Sequence, residues 1–173
     1  MRIVLWLALT LPVLAQPFSL VENGQARAYL LVRSDAGVWE QKAAQDLAAT
    51  VAKMTGARLP VVHARQTGFP IVVGQLAVPR LASQLQSVLK KNPVLRADAI
   101  ALECSKDGLY LAGSNDDSHY FAAAELMRRW GCRWYLPTEF GECIPNQTTL
   151  TQPLLSYAYA PPFEVRGYWI SWN

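Results

Sequence analysis

The chain has 173 residues, a formal net charge of +3, 51% hydrophobic residues and 17% charged residues. This length allows one domain, or one domain with part of a second, and the apolar content excludes an intrinsically disordered chain. The basic residues are scattered, and the densest pairs, Lys90-Lys91 and Arg128-Arg129, stand at predicted helix ends, where cations complement the helix dipole. We therefore expect no nucleic-acid partner.

Residues 1–15 have the features of a secretory signal peptide. Arg2 supplies a positive charge, residues 3–14 form an almost unbroken apolar run, and residues 13–15 place small or modest side chains before a cleavage site. The run is shorter than the roughly 20 apolar residues that cross a membrane. An uncleaved anchor or a buried helix is the alternative. We expect an exported protein, periplasmic or extracellular, with no membrane contact after cleavage.

The first part of the mature chain predicts two short strands and a long helix. Residues 18–21 and 28–32 have strand patterns, and Asn23-Gly24 between them indicates a tight turn. Apolar residues recur at spacings of three and four over residues 37–55, which predicts an amphipathic helix. Ser34-Asp35 offers side chains of the type that cap a helix N-terminus.

Two further strands and a second helix follow. Residues 59–62 and 69–74 are apolar, and the second run is rich in β-branched residues, which is typical of a strand covered on both faces. Pro79 suits the first turn of a helix. The apolar stripe of that helix begins at Leu81 and continues at Leu85.

The next segment predicts a hairpin and a third helix. Residues 99–104 and 109–112 are apolar runs, and Asp107-Gly108 between them is a strong hairpin signal. Residues 115–118 are rich in capping side chains and precede a helical pattern that Gly131 ends. Together the elements predict the α/β class, an α+β sandwich in which two or three helices pack on a mixed β-sheet.

The residue pattern changes beyond Gly141, where prolines recur and apolar residues no longer follow a helical period. We assign residues 16–152 to the α/β domain and residues 153–173 to a linker followed by the beginning of a second domain. Residues 163–170 predict the first strand of that domain, and the chain ends three residues later.

The cysteine and histidine residues do not predict a metal site. Cys104, Cys132 and Cys143 lack any CxxC or Cys/His ligand spacing, and His63 and His119 are isolated in the sequence. Export permits a disulfide, for which Cys132 and Cys143 are the plausible pair. The favoured interpretation is that all three cysteines are small buried residues.

Segments in a particular order resemble a known group of domains. Residues 54–61 (MTGARLPV), 122–137 (AAAELMRRWGCRWYLP), 140–142 (FGE) and 162–167 (PFEVRG) carry the resemblance. Their order and spacing are similar to the N-terminal domain of α-glucuronidases, to the second domain of β-N-acetylhexosaminidases, and to exported bacterial proteins of unknown function with the same layout. The resemblance covers residues 18–170.

The resemblance implies a non-catalytic accessory domain, a mixed sheet with helices on one face, that packs beside a catalytic (β/α)₈ barrel. In those families the first barrel strand begins with a Pro-x-Phe-x-x-Arg-Gly-like segment whose arginine contacts the substrate sugar. Residues 161–167 match this segment loosely, which makes Arg166 the candidate substrate-binding residue. The other barrel strands are absent from this sequence, so the resemblance leaves Arg166 without the rest of its site.

Glycosidases use two carboxylates about 5–5.5 Å apart for retention or about 6.5–9.5 Å apart for inversion. The candidate carboxylates in this chain are Glu139, Glu142 and Glu164. We interpret all three as solvated or interface charges. Glu164 and Arg166 share a face of the predicted strand and can pair with each other. We therefore assign no catalytic residue in this chain.

Two other groups of residues invite a functional interpretation. Asp116, Asp117 and His119 could suggest acid–base chemistry, but their position favours the start of a helix. Aromatic residues crowd the C-terminal part of the chain, where they suit either sugar stacking or the more common interdomain contact. They are Tyr157, Tyr159, Phe163, Tyr168, Trp169 and Trp172.

The sequence thus predicts the non-catalytic N-terminal domain of an exported glycoside hydrolase that acts on polysaccharide O-glycosidic bonds, of the α-glucuronidase or hexosaminidase type. Its expected partners are its own catalytic barrel and a glycan, with no cofactor and no metal. A free-standing exported carbohydrate-binding or interaction module is the alternative, and a nonfunctional fragment is a third.

Overall fold

The computed structural model describes residues 16–167, which contain three α-helices, two short 3₁₀ turns and three β-sheets. The helices are α1 (Val38–Thr55), α2 (Val78–Val88) and α3 (Asp116–Arg129). The strands are β1 (Phe18–Glu22), β2 (Gln25–Ala26), β3 (Ala28–Leu31), β4 (Val61–Val62), β5 (Phe69–Val73), β6 (Ile100–Ser105), β7 (Gly108–Gly113), β8 (Arg133–Trp134), β9 (Glu142–Cys143), β10 (Leu150–Gln152) and β11 (Leu155–Tyr159). The predicted signal peptide and Tyr168, Trp169 and Trp172 lie outside the described residues.

The central sheet has six strands in the order β11-β6-β7-β5-β3-β4. Strands β7, β5, β3 and β4 are parallel to one another. Strand β6 is antiparallel to both of its neighbours, β7 and β11. The predicted hairpin is confirmed, because Ser105 pairs with Gly108 across the two-residue turn that joins β6 and β7. The mixed sheet and its three helices confirm the predicted α/β class.

Side chains alternate between two apolar cores because successive residues of a strand point to opposite faces. In β5, Ile71 and Val73 pack against α1 and α3, while Val72 faces α2 through Leu81 and Leu85. This confirms that the strand is covered on both faces. The resemblance implied helices on one face, and that expectation is wrong: α2 lies on the face opposite α1 and α3.

Helix α1 is capped from another helix and not by the residues that precede it. Its N-cap is Gly37, and the Asp116 carboxylate accepts hydrogen bonds from the backbone N–H groups of Trp39 (3.2 Å) and Glu40 (3.3 Å). The predicted capping role of Ser34-Asp35 is wrong, because Asp35 instead pairs with Arg33 before the helix begins. Asp116 therefore joins the N-termini of α1 and α3.

Strand β11 forms an edge of the central sheet, although residues 153–173 were predicted to be a linker and the start of another domain. It pairs with β6 from Leu155 opposite Cys104 to Tyr159 opposite Ile100. The prediction rested on Pro153 and Pro161, which are typical of a linker. Both prolines lie outside β11, where they do not interrupt the hydrogen bonds of the sheet. The α/β domain thus extends at least to Tyr159.

Two smaller sheets flank the central one. In the first, β1 pairs with β10 and with β2, and Asn23 (φ 49°) and Gly24 (φ 73°) form the tight turn that the sequence predicts. Strand β3 is not the hairpin partner of β1, since it enters the central sheet. Residues 163–167 form no strand, contrary to the predicted strand over residues 163–170, whose remaining residues lie outside the described range. Among residues 16–167, no helix is both long and apolar enough to span a bilayer.

Candidate functional site

The candidate site is a small cleft, the Asp98 cleft, where the start of β6 meets the N-terminus of α3 and the C-terminal segment. It has a volume of about 270 Å³ and is lined by Asp98, Ile100, Phe121, Tyr159, Pro161 and Arg166. Phe121 and Tyr159 are partly exposed apolar walls, at 39% and 45% of their surface. The cleft therefore combines aromatic surface with a carboxylate and a guanidinium, which suits a small polar ligand.

Asp98 is the best-connected side chain of the cleft. Its carboxylate accepts hydrogen bonds from Asn115 Nδ2 (2.9 Å) and Ser118 Oγ (3.1 Å), and it pairs with Arg96 Nε (3.1 Å) and Arg166 Nη2 (2.6 Å). Burial acts to raise the pKa of Asp98, but the hydrogen bonds from Asn115, Arg166 and Ser118 and the charge of Arg96 lower it to about 2. Asp98 is therefore a fixed negative charge at neutral pH.

Arg166, the candidate substrate-binding residue, is engaged within the domain itself. Besides its pair with Asp98, it donates from Nη1 to the Phe163 carbonyl oxygen (2.7 Å). Its side chain is 40% exposed and lines the cleft. A guanidinium has five N–H donors, so a ligand in the cleft can still receive hydrogen bonds from Arg166 while the pair with Asp98 is kept.

Glu164 anchors the same C-terminal segment at a second point. It pairs with Lys90 and accepts hydrogen bonds from the backbone N–H groups of Val94 and Leu95, both at 2.9 Å. The suggested pairing of Glu164 with Arg166 is therefore wrong. Because 163–167 is not a strand, the two charged groups find separate partners.

The other two carboxylates that we weighed lie near β9. Glu142 accepts a hydrogen bond from Lys53 Nζ (2.6 Å) and from Trp134 Nε1 (3.3 Å), and Glu139 lies in the exposed turn that precedes it. The hydrogen bond from Lys53 lowers the pKa of Glu142, and that from Lys90 lowers the pKa of Glu164. A glycosidase acid needs a raised pKa, so neither Glu142 nor Glu164 suits that role.

Asp116, Asp117 and His119 lie at the start of α3, as the capping interpretation predicts. Asn115 is the N-cap and accepts from the Ser118 backbone N–H, Asp116 caps α1, and Asp117 pairs with Arg96. The side-chain hydrogen bonds of His119 go to Gly113 and Gln75 and not to an aspartate. Its ring points into the protein, where it is 1% exposed. The three side chains thus do not form one acid–base group.

His119 belongs to a buried polar cluster at the carboxyl ends of β5 and β7. Its Nδ1 accepts a hydrogen bond from the Gly113 backbone N–H (2.9 Å), and its Nε2 lies 3.3 Å from the side-chain amide of Gln75. Glu40, 2% exposed, accepts from the Gln75 backbone N–H (3.0 Å). Burial raises the pKa of Glu40 and lowers that of His119, so both side chains favour the neutral form.

We expect the buried cluster to make stability depend on pH below neutrality. The pKa of His119 in the folded protein is below its ordinary value of 6.5, so the unfolded chain binds a proton that the folded protein excludes. The contribution of His119 to stability is complete above pH 6.5 and falls by up to about 1.4 kcal/mol per pH unit below it. The raised pKa of Glu40 makes that side chain contribute in the opposite direction, so the histidine is isolated by comparing the wild type with a variant that lacks it. The measurement is the urea midpoint of the wild type between pH 7.5 and pH 5.

The matched pair of variants is His119→Gln and His63→Gln, since His63 is exposed. His119→Gln should weaken the dependence on pH in this window, whereas His63→Gln should retain it. Equal slopes in the wild type and His119→Gln would show that His119 does not cause the effect.

Asp98, Glu40 and Gln75 escaped the sequence analysis. Asp98 carries a usable signal, because it is a charged residue directly before a buried apolar strand. Glu40 lies in the first turn of α1, where an exposed acidic residue is expected because of the helix dipole. Nothing in the sequence therefore indicates that its side chain is buried. Gln75 follows the strand β5 as an uncharged side chain without a motif.

The three cysteines are free thiols. Cys104 and Cys132 are buried as predicted, and burial raises the pKa of Cys104 to about 11. Cys143 is exposed, so the interpretation of all three as buried residues is wrong for this one. Within residues 16–167, no three His, Cys, Asp or Glu side chains are placed to share a metal ion.

No family model matches the sequence, and no curated protein matches it. Among solved structures, the chain is similar to the GH20 β-N-acetylhexosaminidase from Streptomyces coelicolor A3(2), with 13% sequence identity and a TM-score of 0.46. The similarity covers 83% of this chain and 23% of that chain. This chain therefore spans about a quarter of that enzyme, and the hexosaminidase activity is that protein's.

Proposed function

We propose that this chain is a non-catalytic accessory domain of an exported glycoside hydrolase that acts on polysaccharide O-glycosidic bonds, of the hexosaminidase or α-glucuronidase type. In this proposal the domain holds a neighbouring catalytic domain in place, and Arg166 contributes to binding the sugar. The resemblance of the ordered segments over residues 18–170 supports the enzyme class. The geometry of the C-terminal segment supports the role.

The observation that carries the proposal is the alternation of residues 163–166. Glu164 and Arg166 face the domain and are tied to Lys90 and Asp98. Phe163 and Val165 between them are 72% and 75% exposed. A segment that is fixed on one side by charges and presents apolar side chains on the other is suited to contact with a neighbouring domain.

A band of exposed apolar side chains supports the same role. They follow α3 and precede β9, and an exposed apolar patch of this kind is typical of an interaction surface. They are Tyr135, Leu136 and Phe140, which are 72%, 55% and 89% exposed. Covering them with another domain would stabilise the assembly through burial of apolar surface.

The test uses the native product, captured from culture with an antibody against this domain. We expect a protein larger than the 19.2 kDa of this chain. It should hydrolyse either an aryl N-acetylglucosaminide or a xylo-oligosaccharide that carries glucuronic acid. The isolated chain should hydrolyse neither. Hydrolysis by the isolated chain would overturn the non-catalytic role, and a native product of 19.2 kDa or less without activity would overturn the enzyme class.

A further inference from the structure

A groove of about 510 Å³ separates the exposed faces of α1 and α3, away from the Asp98 cleft. Its polar side chains come from α1, α3 and the small β8-β9 sheet. They are Lys42, Asp46, Thr50, Lys53, Tyr120, Trp134 and Glu142. Because charged, hydroxyl and aromatic groups converge on one concavity, the groove has the composition of a ligand site.

The first end of the groove is a network around Asp46. The Asp46 carboxylate accepts hydrogen bonds from Lys42 Nζ (2.8 and 2.9 Å) and from the Tyr120 hydroxyl (2.8 Å). Burial, and then the hydrogen bond to Asp46, raise the pKa of Tyr120 to about 12, so this hydroxyl remains protonated. The side chains of Lys42 and Asp46 are 50% and 30% exposed, which leaves donor and acceptor capacity for a ligand.

The second end is a network around Glu142. Its carboxylate accepts from Lys53 Nζ (2.6 Å) and from Trp134 Nε1 (3.3 Å). The hydrogen bond holds the indole by its polar edge, and 44% of Trp134 remains exposed. Asp46 and Lys53 are seven residues apart on α1, so the two ends are about 10 Å apart at a rise of 1.5 Å per residue.

The floor between the two ends is small and apolar. Ala124 and Met127 of α3 and Ala49 of α1 line it. A flat ligand can therefore lie along the groove with hydroxyl groups at each end and its apolar face towards the floor and the indole. Amphipathic aromatic rings such as that of tryptophan suit such a contact because they are apolar on their faces and polar at one edge.

The charges of the groove decide the class of ligand. Two lysines are neutralised by two carboxylates, so the groove has no surplus charge to attract an anion such as a uronate or a phosphate. Paired ammonium and carboxylate groups instead present donors and acceptors together, as the hydroxyl groups of a sugar require. We propose that the groove between α1 and α3 binds an uncharged oligosaccharide, with Trp134 as the stacking residue. The proposal stands independently of the Asp98 cleft and of hydrolysis.

The experiment is calorimetric titration of the native secreted protein with cellotriose, xylotriose and chitotriose, with trigalacturonate as the charged comparison. We expect at least one neutral trisaccharide to bind at millimolar concentrations or below, and trigalacturonate to bind more weakly. Trp134→Ala should weaken the binding by about tenfold, as expected for the loss of one aromatic contact. Glu142→Gln should also weaken it while keeping the shape of the groove.

Tyr135→Ala is the matched control, because Tyr135 is the adjacent exposed aromatic residue and does not line the groove. It should change the affinity by less than twofold. Unchanged affinity in Trp134→Ala, tighter binding of trigalacturonate, or no binding of any neutral trisaccharide would overturn the proposal. Retained activity of the native protein would then leave the proposed glycosidase function intact.

Discussion

Replacing Gly113 with alanine should destabilise this protein by about 3 kcal/mol or more, because the added methyl group has no space. Gly113 ends β7 directly beneath the first turn of α3. A Cβ atom there would lie 2.2 Å from the carbonyl carbon and 2.4 Å from the carbonyl oxygen of Ser118. Ser118 is buried and its N–H is fixed by Asn115, so the helix would have to move away from the sheet. The measurement is the urea midpoint of the purified protein.

Gly56→Ala is the matched control for this prediction. Gly56 ends α1 with φ 75°, and a Cβ there would meet nothing within 4 Å. This variant therefore carries a left-handed backbone penalty of about 1 kcal/mol without any clash. If Gly113→Ala were destabilised no more than Gly56→Ala, the close packing of α3 on β7 would be wrong. Failure of Gly113→Ala to accumulate, with normal yield of Gly56→Ala, would agree with the prediction.

Asp98→Asn should cost about 2–3 kcal/mol, because it removes the carboxylate that several donors share. Arg166 and Arg96 lose their buried partner, and Asn115 and Ser118 lose a charged acceptor. Both arginine side chains are about half exposed and can return to water, which keeps the loss below that of a fully buried pair. Because Arg166 is released, trypsin should cleave after this residue faster in the variant than in the wild type.

Asp98→Asn should also reduce the loss of folding stability that the wild type shows at acidic pH. The pKa of Asp98 falls from 3.8 to about 2 on folding, so its contribution is complete above pH 3.8 and is lost as the pH falls through 2. This shift corresponds to about 2 kcal/mol. Asp117→Asn is the control, since its side chain is 35% exposed and pairs with Arg96 at the surface. It should cost less than about 1 kcal/mol, and an equal loss in both variants would contradict the central role of Asp98.

The elements that depend on local sequence were predicted well. Helix α1 was predicted at residues 37–55 and is found at Val38–Thr55, because its apolar spacing and the terminal Gly56 act within the segment itself. The β6-β7 hairpin likewise follows from Asp107-Gly108 between two apolar runs. These signals are sufficient because the residues that cause the structure are its close neighbours in sequence.

Contacts between distant residues escaped prediction. Asp116 caps a helix that begins 78 residues before it, at Val38, and no spacing rule links the two positions. Strand β11 is short and lies between prolines, so its membership of the sheet depends on the exposed edge of β6. The candidate site has the same origin, since Asp98 and Arg166 are brought together only by the path of the C-terminal segment.

The pairing of β1 with β10 has a consequence for the order in which the domain folds during synthesis. Strand β1 can pair early with the two-residue strand β2, but Phe18 finds its other partner only at Gln152. At 5–20 residues per second, synthesis of the intervening chain takes roughly 7–27 seconds. The three-stranded sheet therefore cannot be completed while the ribosome makes the central sheet, and it is expected to be among the last parts of the domain to form.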